Sequence, residues 1–428
     1  MLLRFRFSNV RSFRDEQELS LVASPGKELP EVVRHPPAVR EGVLPLAAIY
    51  GANASGKTNV LRALAFMANA VSSSYRSWKP DGPISRNPFL AGETATMRAS
   101  GFEADFLFGG IRHQYGFRLD AESVLEEWLR VYPKAKRQTW FHRKPGDRIL
   151  FSSKMPGENR TIENLTRKNC LFLSAAAQNN HEALLPIYQW FTNSVFFVMG
   201  ERGLFYEITK GICGASEPKE EISRLLAAAD LGIVDMRIEE EKTSDAAKRI
   251  FEAVFAEVKL EGRPAPTVLD AISKIHLFHR FGDKTSTFPQ DLESDGTIAY
   301  LSLLGPVVDA IKKGSLLCLD ELDASLHPLL ATQLMRLFNC PSSNPLGAQL
   351  IFTTHDTNLL GSGLLRRDQV WFTEKNDDGA SHLYPLSDFK PRKEENLQSG
   401  YLQGRYGAIP FINPDAFLAR LEDGNEPA

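Results

Sequence analysis

Apolar positions along the chain change period several times, and each change marks an element. The opening LLRFRFSNV (residues 2–10) alternates apolar and polar side chains, and EQELSLVAS (16–24) continues the alternation, as half-buried strands do. LPLAAIY (44–50) is a short unbroken apolar run leading into a glycine-rich turn, after which TNVLRALAFMANAV (58–71) repeats its apolar residues at helical spacing. Strand, loop, helix is the order there. Between residues 95 and 152, FEADFLF, RHQYGFRL, WLRVYP, QTWFHR and RILFSS are separated by Gly, Asp or Pro and predict an antiparallel sheet.

From about 160 to 262 the spacing becomes mainly helical, with HEALLPIYQWFTNSVFF, EEISRLLAAADLG and SDAAKRIFEAVFAEV as its clearest stretches. KIHLFHRF (274–281) returns to a strand. A helix IAYLSLLGPVVDAIKKG, a strand SLLCLDE, a helix HPLLATQLMRLF, a strand AQLIFTTH and two further strands, QVWFTE and SHLYPL, complete the series. Alternating strands and helices at this spacing predict a parallel α/β lobe. Three segments follow: 1–158 with the phosphate-type loop and the antiparallel sheet, 159–265 as a mainly helical insertion, and 266–428 as a C-terminal α/β lobe. The last residues, LEDGNEPA, are expected to fray.

Composition narrows the class. The chain has 428 residues, 43% hydrophobic and 24% charged, with a net charge of −3, so it carries no global attraction for nucleic acid or an anionic membrane. Its four cysteines form no C-x-x-C pair, which argues against a disulfide framework or a zinc site. No apolar run is long enough to span a bilayer, and the N-terminus lacks the apolar core of a secretion signal. A cytoplasmic location is expected.

Two stretches carry chemistry at specific spacing. Gly51, Ala52, Asn53, Ala54, Ser55, Gly56, Lys57 and Thr58 satisfy G-x-x-x-x-G-K-[ST] between a predicted strand and a predicted helix, with Asn59 next in line. Glycines let backbone amides close around phosphate, the helix start adds partial positive charge, Lys57 reaches the β and γ phosphates, and Thr58 ligates Mg2+. A bare glycine-rich turn is the plainer reading, and the flanking elements disfavour it. SLLCLDE ends in Asp320 and Glu321, which at the carboxyl end of a strand face the ligand crevice of an open α/β sheet. Asp320 is placed to hold Mg2+ and Glu321 to polarise a water. The same residues also read as a strand running into an acidic helix start, capped by Asp323 or Ser325. His355 closes the next apolar strand, within reach of a γ-phosphate; a lone histidine is more often structural, and its position after the acidic pair favours function.

In this order the motifs resemble those of ABC-type ATPases of the SMC and RecF kind: a phosphate loop, a signature at Ser294 to Thr297, an Asp-Glu strand end, a D-loop at Leu322 to Ser325 and a switch histidine. FSNVRSFRD (7–15) resembles their opening strand and turn, which implies that Arg11 lies near the nucleotide. DELDASLHP, ESDGT, FLSAAAQNNHEALLPIYQWF and YLQGRYGAIPFI narrow the likeness to the AAA15/AAA21 group, including phage-defence ATPases of RloA and AbiL type. That likeness covers nearly the whole chain. It departs in two places. The signature ESDGT lacks the second glycine and the glutamine of the transporter form, and the Q-loop glutamine is not fixed by spacing. Gln178 is the candidate for that metal ligand; it reads equally well as part of a helical packing surface.

The resemblance implies an α/β ABC-type ATPase head with ATP and Mg2+ as cofactors, sandwiched between two subunits. Ser294, Gly296 and Thr297 of one copy would meet the γ-phosphate on the other, giving a homodimer or a higher oligomer built on it. It also implies a separate effector of nuclease type in an antiviral system, since the residues after His355 show no nuclease centre. The alternative is a RecF-like DNA-maintenance ATPase with DNA as partner. Its basic stretch would be RVYPKAKRQTWFHRK (130–144), which reads equally as a solvated face. A transporter subunit and a P-loop kinase fit less well.

Overall fold

The computed structural model describes residues 1–91, 97–200, 202–229, 231–242, 271–288, 292–324, 326–392 and 394–410. The expected helix SDAAKRIFEAVFAEV, the tail LEDGNEPA and Ser325 lie outside the described residues. Two compact units divide the chain: the first comprises Met1–Met199, Ala310–Ala324 and Ala331–Ala428, the second Gly200–Asp309 and Ser325–Leu330.

In the first unit, β1 (Leu2–Ser8) and β2 (Gln17–Ser20) form where the alternation predicts them. After them come β3 (Leu46–Gly51), buried along its whole length, and α1 (Lys57–Ser77), whose buried positions Val60, Leu61, Leu64, Met67, Ala68 and Val71 keep the helical spacing. The antiparallel set follows as β4 (Ser100–Phe108), β5 (Ile111–Leu119), β6 (Val124–Tyr132), β7 (Gln138–Arg143) and β8 (Leu150–Phe151). Then come α2 (Asn159–Leu165), α3 (Phe172–Gln178), α4 (Leu185–Asn193) and β9 (Val195–Val198). The helical pattern of HEALLPIYQWFTNSVFF therefore stops at Asn193. Val195 to Val198 pair in parallel with a strand far along the chain, and that long-range ladder outweighs the local period.

The second unit holds α5 (Arg202–Ile212), α6 (Ser216–Ala227), β10 (Ile233–Lys242), β11 (Ala271–Phe281) and β12 (Lys284–Phe288), the last three forming one antiparallel sheet. α7 (Asp295–Lys313) begins in this unit, and β13 (Leu316–Leu319), α8 (Pro328–Asn339), β14 (Gln349–Thr353), α9 (Asn358–Gly361), β15 (Val370–Lys375), β16 (Ser381–Pro385) and α10 (Leu397–Leu402) complete the chain.

Among the described residues the first unit has two sheets, a seven-stranded antiparallel sheet ordered β2-β1-β4-β5-β6-β7-β8 and a six-stranded sheet ordered β16-β15-β3-β14-β13-β9. The second sheet is parallel from β15 through β3, β14 and β13 to β9, with β16 antiparallel at its edge. Its interior strands are apolar runs because both faces are covered. Leu61, Leu64, Phe106, Trp190 and Phe191 share one core with residues of both sheets, and Trp190 stacks on Phe106 at 3.8 Å.

A buried carboxylate fixes α3. Glu127, on β6, accepts from the backbone N–H of Phe172 at 2.7 Å and of Leu173 at 3.0 Å and from Tyr115 Oη at 2.9 Å. Arg143 lies 3.6 Å away, while burial raises the Glu127 pKa. No helix of the described residues is long and apolar enough to cross a membrane.

Candidate functional site

The loop from Gly51 to Gly56 leaves β3 and enters α1 through backbone that few side chains tolerate. Gly51 has φ of 153° and Gly56 of 118°, and Ala54 adds a left-handed φ of 60°. A Cβ on Gly51 would lie 2.4 Å from the Thr373 carbonyl, and one on Gly56 would lie 2.7 Å from Ser381 Oγ. Glycine is required at both positions. The loop rests on the neighbouring strands: Ser55 Oγ shares a hydrogen bond of 2.6 Å with Thr373 Oγ1 on β15, and Ser381 Oγ on β16 donates to the Ser55 carbonyl at 2.6 Å. Asn59, at the third position of α1, donates to Ser12 Oγ at 2.9 Å.

Gly56 caps α1 without any side-chain acceptor, so no side chain competes for the amides at this helix start. Lys57 turns back over the loop and donates to the carbonyls of Gly51 at 2.9 Å and Ala52 at 3.0 Å. Burial pushes its ammonium below the usual value, against the favourable fields of Asp320, Glu321 and Asp323. A buried cation held by carbonyls and faced by carboxylates is poised to exchange those acceptors for phosphate oxygens. Thr58 Oγ1 donates to Asp320 Oδ1 at 3.0 Å, so the loop and the acidic strand end are already joined.

Asp320 follows β13, and β14 lies between β13 and the loop strand β3. Thr353, the last residue of β14, donates from Oγ1 to the same Asp320 Oδ1 at 2.6 Å. Glu321 has a left-handed φ of 54°, and its N–H donates to Thr353 Oγ1 at 2.8 Å. His355 lies two residues past β14. Its N–H donates to the Asp323 carboxylate at 3.3 and 3.2 Å, and burial and Lys57 lower its pKa against Asp323, Glu321 and Asp320. Lys57, Thr58, Asp320, Glu321 and His355 thus form one cluster at the carboxyl ends of β3, β13 and β14.

Other expected residues fall elsewhere. Arg11 has a left-handed φ of 52° and donates its N–H to the Asn87 carbonyl at 2.7 Å, in a cavity of about 410 Å³ that it shares with Arg62 on α1. Burial and the Arg62 charge both push its guanidinium pKa down. Gln178 is not brought to the cluster. Its Nε2 reaches Tyr188 Oη at 3.4 Å, and that hydroxyl donates to the Ser72 carbonyl at 3.1 Å. Ser72 lies fourteen residues past Thr58, about 21 Å along the axis of α1 at 1.5 Å per residue. Gln178 is exposed at the end of α3, with its side chain on Tyr188 of α4. Asp323 accepts the His355 N–H, and at the start of α8 His327 Nδ1 accepts from Leu329 N–H at 3.3 Å.

In the second unit, Ser294 is the N-cap of α7: its Oγ accepts from Thr297 N–H at 3.0 Å and lies 2.8 Å from Thr297 Oγ1. Gly296 is in the first turn. The preceding Glu293 is tied to β11 through His279 Nε2 at 2.7 Å. Of the basic stretch 130–144, Arg130 is held by Gln114 at 3.1 Å and Glu103 at 3.5 Å, and buried Arg143 donates to the carbonyls of Cys170, Arg167 and Lys168.

A parallel sheet with a phosphate loop after one strand, an Asp-Glu pair after another and a histidine after the strand between them defines a P-loop ATPase fold. The chain belongs to the AAA_21 family: the family model, described as "AAA domain, putative AbiEii toxin, Type IV TA system", matches residues 46–361, nearly three quarters of the chain. No curated protein matches it in sequence. Among solved structures the chain is similar to the SmcHead bound to the C-winged helix domain of ScpA, with a TM-score of 0.46 and 12% identity over 91% of this chain and 99% of that one.

Thr353, Thr373, Ser381 and Ser12 were not singled out from sequence. The pairing of β14 with β13 brings Thr353 to Asp320 and that of β15 with β3 brings Thr373 to the loop, while Ser381 arrives on β16 beside β15 and donates its N–H to the Ser12 carbonyl at 2.7 Å. For Thr353 a signal existed in the polar end of the apolar run AQLIFTTH, where two threonines precede the histidine.

Proposed function

We propose that the chain binds and hydrolyses ATP, with Mg2+, as a two-copy switch that controls a separate effector in antiphage defence, in the manner of RloA and AbiL-type ATPases. The observation that carries this reading is the single cluster of Lys57, Thr58, Asp320, Glu321 and His355. The donor set suits both groups: Thr58 and Asp320 offer hard oxygens of the kind Mg2+ takes, and the strained glycines leave the loop backbone open to phosphate. Bound Mg2+ supplies positive charge to the β and γ phosphate oxygens.

Lys57 then donates to the phosphates in place of its present carbonyl acceptors. Glu321 takes a proton from the attacking water, and His355 hydrogen-bonds the γ-phosphate. Ser294, Gly296 and Thr297 of a second copy present a hydroxyl and helix-start amides to that phosphate, so ATP joins two copies and hydrolysis releases them. The stretch 159–265, of which residues 159–199 belong to the first unit, serves as a lid or as a docking arm for an effector of nuclease type.

Replacement of Glu321 by Gln tests this. Turnover should fall by about 100-fold or more, the range of a lost general base, while light scattering finds an ATP-dependent dimer. Unchanged turnover would remove Glu321 from the chemistry, and a variant that stays monomeric with ATP would remove the two-copy switch.

A further inference from the structure

We propose that Thr353 is a positioning residue for hydrolysis, holding the metal-side carboxylate and the water-side glutamate in register through one hydroxyl. The inference rests on the ATPase reading above. Thr353 is fully buried at the end of β14, one strand away from the Asp-Glu pair. Its Oγ1 donates its only hydrogen to Asp320 Oδ1 at 2.6 Å and accepts from Glu321 N–H at 2.8 Å, and its own carbonyl accepts from Leu322 N–H at 3.0 Å. Three successive residues after β13 are thereby pinned by one residue.

The middle one needs it. Glu321 has φ of 54°, a left-handed conformation that costs a side-chain-bearing residue about 1–3 kcal/mol and persists only where its surroundings over-determine it. The Thr353 hydroxyl is such a determinant, because it satisfies the Glu321 N–H in that conformation. It also joins Thr58 on one oxygen of Asp320, fixing the carboxylate from two sides. A threonine kept merely for the strand would need its methyl and its backbone; this one has each hydroxyl function committed to the acidic pair.

The test compares Thr353→Ser, which keeps the hydroxyl, with Thr353→Val, which keeps the shape, in the full chain. ATP affinity, kcat and melting temperature are measured for both. Val is expected to lower kcat by about 10- to 100-fold, the usual cost of losing a group that orients a metal-site ligand, while ATP affinity moves less than about threefold. Ser should restore kcat to within about threefold of the parent. If Val does not fold, Thr353→Cys replaces it, close in size with a weak donor, and is read by the same criteria. Val turnover at the parent rate, or equal losses in Ser and Val that follow melting temperature, would overturn the proposal. A parent chain with no ATP turnover that Lys57→Ala removes would overturn the ATPase reading and this inference with it. Turnover that depends on Lys57 with an unaffected Val variant would overturn this inference alone.

Discussion

Two helix starts carry the proposed phosphate contacts, and they are finished differently. At α1 the Gly56 cap has no side-chain acceptor, and the lysine that follows is folded onto the loop carbonyls. At α7 the start is closed by its own side chain, with Ser294 Oγ on the Thr297 N–H. The first start has Lys57, Thr58 and Asp320 gathered within one unit of the chain, the lysine proposed for phosphate and the other two for Mg2+. The second stands in its own unit with an exposed serine and an N–H already satisfied. An open helix start is complete once phosphate arrives. A capped one has to trade its internal bond for an external one, which makes it suited to contact made and broken on demand rather than to tight binding.

Substitution of Lys57 by Ala should have the largest effect. In the proposed complex it would remove two charge-assisted bonds to phosphate, in place of those Lys57 now makes to carbonyls, at about 1.5–3 kcal/mol each, so ATP affinity by calorimetry should fall by about 100-fold or more. Retained affinity would break the assignment of α1 as the start that binds. Substitution of Ser294 by Arg comes next. Hydrolysis should fall by about 100-fold, as for a lost transition-state donor, with ATP affinity of the single chain within a few-fold of the parent. Equal losses of binding and hydrolysis would mean that both starts serve one copy, and the contrast between them would disappear.

Both helix starts were legible in the sequence, because each depends on local residue types: glycines and a lysine after an apolar strand, a serine and a glycine before an apolar helix. The acidic pair and His355 were legible for the same reason, each a polar end on an apolar run. Partnerships across the sheet were not. Thr353 meets Asp320, and Thr373 meets Ser55, only because β14 pairs with β13 and β15 with β3. A register between strands separated by dozens of residues leaves no local mark. The same limit explains Asp323, read as a helix cap and found on the His355 N–H, and Gln178, whose sequence position could not tell the near end of α1 from the far end. The strand β9 was hidden inside a helical period for a related reason, since its ladder partner β13 lies far along the chain.

His355 gives the smallest effect and separates the two starts by pH. Burial and the Lys57 cation lower its pKa from the usual 6.5, with Asp323, Glu321 and Asp320 opposing. A lowered value means that the neutral ring persists to more acidic pH than a free histidine, and that the proton is taken up only below 6.5. If the neutral ring donates its N–H to the γ-phosphate while Glu321 takes the proton of water, kcat/KM, which follows the nucleotide-free chain, should hold as pH falls through 6.5 and decline only below it. His355→Gln keeps a donor without titrating and should flatten that acid limb while leaving ATP affinity unchanged. The phosphate-loop side would then carry the acid–base response, and the Ser294 variant should keep the same profile at its reduced rate. A decline centred at 6.5 or above, or a limb that survives His355→Gln, would take the histidine out of the site and leave Lys57, Thr58 and the acidic pair to act without it.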